Sequence, residues 1–252
     1  MTTAVAAIYA GLLGAAIGSF LNVVVWRVPR GESIVSPPSH CPGCDTRIRP
    51  RDNIPIVSWL LLRGRCRSCG AAISVRYPLI EALTAALFAA IVLVRGVEWD
   101  LVWQLPLAAL LIAIAAIDAE HRVIPNRLVV PAAAWAVVSA VLVRLGDLPE
   151  LVAWGAGAFA FFLLAAVIYP AGMGMGDVKL AGVLGLYLGS AVVPALFIAF
   201  LTGSVYGVAV MTRQGTRGRK HAVPFGPFLA LGGLVGILAG HPLVDLYTDN
   251  FL

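Results

Sequence analysis

Seven apolar runs, at about 5–26, 79–94, 101–117, 128–143, 151–170, 178–211 and 224–240, constrain this chain more than anything else in it. A helix needs about 20 predominantly apolar residues to cross the hydrocarbon of a bilayer, and most of the runs reach or approach that length. With 60% hydrophobic and 12% charged residues, the chain has too little polar surface to hide such runs as a soluble domain would, since an average one is about 25% charged. Disorder is excluded as well, because it requires low hydrophobicity and high net charge. The expected fold class is therefore an all-α polytopic membrane protein.

The first run, Val5 to Trp26, has no basic residue before it and no small-residue cleavage site ahead of a soluble chain. It reads as a retained helix, not a signal peptide. The 178–211 run holds 34 residues with no charge after Lys179, and Gly189-Ser190 followed by Pro194 stands near its middle. Two spans of about 17 residues joined by a tight turn fit the lower limit for crossing. The count becomes about eight transmembrane helices, with one span plus a re-entrant segment as the other arrangement for this run.

Charge placement favours eight, because loops rich in Lys and Arg stay in the cytoplasm. With the N-terminus outside, the cytoplasmic side receives the nine Arg of 27–78, then Arg122, Arg127 and Lys179, and finally Arg213, Arg217, Arg219 and Lys220 of the 212–223 loop. Only Arg95 and Arg144 fall outside. A single helix over 178–211 would put four basic residues on the wrong side. The net charge of +5 is thus a matter of orientation, and no nucleic-acid partner is expected.

The expected organisation is a first transmembrane helix at 1–26, a polar cytoplasmic domain at 27–78, and a membrane domain at 79–252. The polar window has 52 residues, too few to stand on a hydrophobic core alone. It holds all four cysteines, as Cys41-Pro-Gly-Cys44 and, after 21 intervening residues, Cys66-Arg-Ser-Cys69. Two such knuckles can present four thiolates to one tetrahedral Zn²⁺, leaving no open position for water, so the ion would be structural. Gly43 and Gly70 suit the tight turns this requires. Two disulfides are the other reading, disfavoured in a reducing cytoplasm. His40 is expected to be a surface neighbour rather than a ligand.

Two acids stand against apolar runs on the cytoplasmic side. Asp118 follows Leu105 to Ile117 and precedes Glu120-His121-Arg122-Val-Ile-Pro125-Asn126, while Asp177 lies in Gly172-Met-Gly174-Met-Gly176-Asp177-Val-Lys179. Carboxylates at membrane depth are costly and mark functional sites by default. If the two approach within a few ångströms, both cannot ionise easily, so that one holds a proton while the other deprotonates water. Simpler readings stand beside this one. An acid at a helix start caps it, which suits Asp177. Asp118 sits at a helix C-terminus, where the macrodipole opposes a negative charge, so that its simpler reading is a solvated interfacial acid; Glu120 is the alternative reactive group.

Together these segments closely resemble the type IV prepilin peptidase family over most of the chain. The resemblance rests on Gly18-Ser-Phe-Leu-Asn22-Val-Val-Val-Trp-Arg27-Val-Pro29, on the cysteine window with Asn53-Ile-Pro-Ile-Val-Ser-Trp59 and Ile73-Ser-Val-Arg-Tyr77-Pro-Leu-Ile-Glu81, on Asp118 with Pro125-Asn126, and on Gly174-Met-Gly176-Asp177. It implies that Asp118 and Asp177 are the catalytic pair, supported by Gly174, Gly176 and Lys179. The implied activity is cleavage of a short basic leader from type IV prepilins or pseudopilins at the cytoplasmic face of the bacterial inner membrane. S-adenosyl-L-methionine (AdoMet)-dependent N-methylation of the new N-terminus would follow.

The methylase half is less legible in the residues. No G-x-G-x-x-G of the dinucleotide-binding type is present, and Gly155-Ala-Gly157 lies inside an apolar run, where helix packing explains it. Ser19, Asn22, Glu81 and the cysteine window are the candidate contributors, without assigned roles, and Glu81 also reads as a first-turn helix acid. Two other classes remain open at this stage. A proton-coupled transporter would also use membrane-buried acids, although no inverted repeat is visible. A non-catalytic membrane scaffold with a zinc-bound recognition domain would need the cysteines and neither aspartate.

Overall fold

The computed structural model describes residues 2–170, 172–214 and 223–251. Arg217, Arg219 and Lys220 of the charge argument lie outside the described residues. Within them the chain forms nine α-helices and no strand beyond isolated bridges. The helices are α1 (Thr3–Arg27), α2 (Val57–Leu61), α3 (Arg76–Arg95), α4 (Leu101–His121), α5 (Asn126–Val143), α6 (Leu148–Ile168), α7 (Met175–Leu188), α8 (Val192–Gln214) and α9 (Gly226–Phe251).

Six helical stretches of the described residues are long and apolar enough to cross a membrane, and a seventh follows if the pair Gly226–Gly240 and Pro242–Asn250, bent by 73°, is one span. Pro242 removes a helix donor at that bend. One of the six, Met175–Arg213, runs for 39 residues, about 58 Å at 1.5 Å per residue and far more than a bilayer core needs. Gly189, at φ 58° and ψ −135°, ends α7 there. There α7 (14 residues) and α8 (23 residues) part, and α7 alone is shorter than the roughly 17 residues expected for each half of this run, so that the described residues give six spans, or seven with the bent pair, and α7 as a short further segment.

The chain divides into two compact units, Met1–Leu101 and Val102–Leu252. In the first, α1 lies against α3 with their backbones nearly touching. A Cβ on Gly14 would stand 2.7 Å from the Thr84 carbonyl oxygen, and one on Gly18 would stand 2.7 Å from Glu81 Cα. Small residues permit this approach, which is how helices gain contact where lipid supplies no hydrophobic drive. Where the chain leaves α1, buried Arg27 donates to the carbonyls of Ser33 (2.9 Å) and Pro37 (2.7 Å) and so turns it into the polar window.

The second unit is built around α7. Its residues from Val178 to Leu188 are almost all buried, unlike those of α6, whose Phe161, Leu164 and Val167 stay exposed to the surroundings. A helix apolar all round belongs inside a bundle. Leu111, Ile114 and Ile117 of α4 and Leu229 and Ile237 of α9 are likewise fully buried. Gly155 does serve packing, since a Cβ there would meet Leu186 at 2.7 Å, whereas Gly157 faces open space. At the far end of α7, Arg144 stacks on Trp103 and donates to the Tyr187 carbonyl at 3.2 Å. A cation on a helix's last carbonyls is favourable.

Candidate active site and metal centre

Asp118 lies one turn before the end of α4, which stops where Arg122 takes a left-handed φ of 55° and donates to the Asp118 carbonyl at 2.8 Å. Its side chain is only 5% exposed. That is a poor place for a negative charge as far as α4 is concerned. The compensation comes from another helix: Asp118 Oδ2 accepts the Gly226 N–H at 2.9 Å, at the first residue of α9, where unpaired N–H groups and the positive end of the dipole favour an anion. A Cβ on Gly226 would lie 2.7 Å from that same oxygen, so no other residue fits without moving the carboxyl.

Asp177 occupies the third position of α7, half buried, and its Oδ2 accepts the Gly174 N–H at 3.3 Å. The capping reading therefore holds as far as it goes. The same carboxyl also interacts electrostatically with Asp118. Two contacts draw the start of α7 toward the α4–α5 connection. Gly176 is so close to Ile124 that a Cβ would stand 2.8 Å from the Ile124 Cβ, and Lys179 Nζ donates to Asn126 Oδ1 at 2.9 Å. Glu120 is exposed, 3.9 Å from His121 Nε2. The sequence motifs contain the two acids, Gly174, Gly176, Lys179 and Asn126, whereas Gly226 and Ile124 join them only through the fold. Pro224-Phe-Gly-Pro227, a glycine between prolines at the head of an apolar run, was the available signal.

In the first unit the four cysteine sulfurs lie within 4.8 Å of one another, and Cys41 Sγ to Cys69 Sγ is 3.8 Å. A tetrahedron with metal–sulfur bonds of about 2.3 Å has sulfur–sulfur edges of about 3.8 Å. All four thiols are free, so the disulfide alternative is not realised. Each knuckle is closed by its own backbone: Asp45 N–H donates to Cys41 O at 2.8 Å and Gly70 N–H to Cys66 O at 2.9 Å. The left-handed residue follows the second cysteine in both, as Asp45 (φ 54°) and Gly70 (φ 73°). Gly70 serves as expected, but in the first knuckle the role falls to Asp45 and not to Gly43. His40 pairs with Asp45 at 3.7 Å, outside the cluster.

The thiols do not titrate alike. Backbone N–H groups of Cys69 and Ser68 draw Cys66 down to about 6. Hydrogen bonds from Thr46 lower Cys44. At Cys69 the Ala71 N–H also pulls downward, but the Cys44 thiol, burial and the other two thiols outweigh it and push the group up to about 11. Four thiolates crowd one another unless a cation stands between them, and a metal ion reverses that balance. The cluster could hold one metal ion.

A multi-pass helical membrane protein with two buried or half-buried carboxyls at helix ends in one unit and a four-thiol site in the other is the class that fold and site define. A family model described as the Bacterial Peptidase A24 N-terminal domain matches residues 12–95, and one described as the Type IV leader peptidase family matches residues 105–208. The chain belongs to the type IV leader peptidase family. A type 4 prepilin-like proteins leader peptide-processing enzyme of Escherichia coli O78:H11 is 39% identical, over 89% of this chain and 90% of its own. Proteins named prepilin leader peptidase/N-methyltransferase are 35% identical in Aeromonas hydrophila, over 94% and 91% of the two chains, and 33% identical in Bacillus subtilis, over 96% and 97%. No solved structure matches the chain.

Proposed function

We propose that this chain is a membrane-embedded aspartic endopeptidase that removes the short basic leader of type IV prepilins or pseudopilins and then methylates the new N-terminus, with Asp118 and Asp177 as the catalytic pair. The observation that carries the pair is their placement: one acid is held by the first N–H of α9 and the other by the first turn of α7, and Gly176 against Ile124 and Lys179 on Asn126 bring the start of α7 to the connection that follows Asp118. One carboxyl, as carboxylate, takes a proton from water, whose oxygen bonds to the scissile carbonyl carbon while the other, as acid, protonates the carbonyl oxygen. On collapse the C–N bond breaks and the amine leaves with the abstracted proton. Gly226 and Gly174 orient the two carboxyls, and Lys179, through Asn126, holds α7 against the α4–α5 connection. The family relationship speaks against the transporter and scaffold readings.

Zn²⁺ is the ion proposed for Cys41, Cys44, Cys66 and Cys69, on the strength of an all-thiol tetrahedral set. The names of the relatives imply AdoMet as methyl donor. When bound, it supplies an electrophilic methyl that an α-amine accepts with loss of one proton, the C–S electron pair staying on sulfur. The site of action is the bacterial inner membrane, with the N-terminus outside and the aspartates facing the cytoplasm, as the charge distribution favours. Purified protein incubated with a tagged prepilin, followed by mass measurement, tests the reading: loss of the leader mass reports cleavage, and a further gain of one methyl reports the second reaction. An unchanged prepilin mass overturns it.

A further inference from the structure

The first unit contains a cavity of about 750 Å³, within the range of small-molecule and cofactor sites, about 300–1,000 Å³. Its walls come from the inner end of α1, the start of α3 and the metal-binding window, Cys41 and Cys66 included. None of the aspartate pair belongs to it. Ser19, Asn22 and Glu81, the polar residues that stood without a role in the sequence, all line it.

Two of these are built in. Asn22 is 2% exposed, and its Nδ2 donates to the carbonyls of Gly18 (3.3 Å) and Tyr77 (3.1 Å). Since both partners are acceptors, they fix which end of the amide is nitrogen. The other end, Oδ1, is buried with no hydrogen-bond partner, a state that costs free energy unless a donor arrives. Glu81 is 7% exposed, and its Oε2 accepts the Ile56 N–H at 2.6 Å. Ile56 itself, another wall residue, is held at φ 62°, where a β-branched side chain is strained. The fold thus pays for a bent segment that keeps a backbone donor on a buried carboxylate.

We propose that this cavity is the AdoMet site of the methyltransferase half, with Glu81 facing a positive group of the ligand and Asn22 Oδ1 accepting from one of its N–H donors. The assignment rests on the methyltransferase reading above and deepens it. AdoMet offers a sulfonium, an ammonium and an adenine amine to these acceptors, and a carboxylate to the arginines of the opposite charge in the same walls, Arg47 and Arg76 among them. The aromatic faces of Trp59 and Tyr77 complete a lining that is mixed in charge and apolar in area, as a zwitterionic ligand with a flat base requires.

Binding can be read apart from turnover. AdoMet and S-adenosylhomocysteine are titrated calorimetrically into the purified full-length protein in detergent, and AdoMet is crosslinked by ultraviolet light and its site mapped by peptide mass. The wild-type protein is expected to bind both and to crosslink within residues 19–81. Glu81→Gln, which can still accept from Ile56, should weaken AdoMet roughly 10- to 100-fold, the worth of a charged hydrogen bond. Ala72→Trp, which fills the cavity from an exposed wall position, should abolish binding of both ligands, with metal content and helicity unchanged. Wild-type affinity in both variants, or a crosslink confined to residues beyond 101, overturns this assignment and leaves the methyltransferase reading standing. No binding and no methylation by the wild-type protein overturns both.

Discussion

Asp118 shows how a single residue draws on two helices at once. Its backbone lies in the last turn of α4, where a carboxylate meets the negative end of a dipole, and its side chain accepts from the first N–H of α9, where the sign is reversed. The Gly226 N–H is what holds the carboxyl in place, so a methyl there should matter out of proportion to its size. Gly226→Ala is expected to lower the kcat of leader cleavage about 100-fold, the usual cost of displacing a reacting group by an ångström, with KM little changed. A gel-based cleavage assay at several prepilin concentrations separates the two constants. Asp118→Asn and Asp177→Asn should each abolish cleavage at normal protein level and membrane insertion, because paired groups act as a unit. Turnover by either variant above a few per cent of wild type would remove that acid from the pair. Glu120→Gln, at an exposed position, should keep cleavage.

Among the elements, the knuckles depend most on something outside the polypeptide. The window 27–78 has one five-residue helix and two short turns besides them, and Arg67, bound to Asp52 through two nitrogens at 2.7 and 3.0 Å, is one of its few side-chain braces. Small domains of this kind take much of their folding free energy from the metal. One tightly bound Zn²⁺ per chain is expected by elemental analysis. Replacing Cys66 and Cys69 by Ser should remove it and speed amide exchange throughout 27–78, while cleavage persists, since neither acid belongs to the window. The spans were legible because hydropathy is a property of consecutive residues, and so were the cysteines, whose spacing is local. Long-range contacts were not: nothing near Asp118 in sequence announces Gly226, 108 residues away. Conformation is also partly hidden, as Asp45 shows by taking the left-handed turn expected of Gly43. The run at 224–240 underestimates α9, which continues through Asp245 and Asn250, since a helix can extend beyond its apolar stretch.

At the scale of the whole molecule, the question is which side of the membrane the aspartates face. The connection between α4 and α5 and the start of α7 lie together in one unit, tied by Lys179 to Asn126, so they share a side. Charge favours the cytoplasm, because 16 of the 18 basic residues gather there when the N-terminus is outside. A prepilin would then bring its apolar helix through the bilayer and its basic leader to that face. Nine arginines in 27–78 repel such a leader. The leader's path would then avoid them or follow acids such as Glu32, Asp45, Asp52 and Glu120. Single cysteines at positions 119 and 172, in a variant lacking the native four, should react with a membrane-impermeant maleimide only in inverted vesicles. Reaction of either only in intact cells would place the aspartates outside and exclude docking from the cytoplasm, together with the count of about eight spans on which that orientation rests.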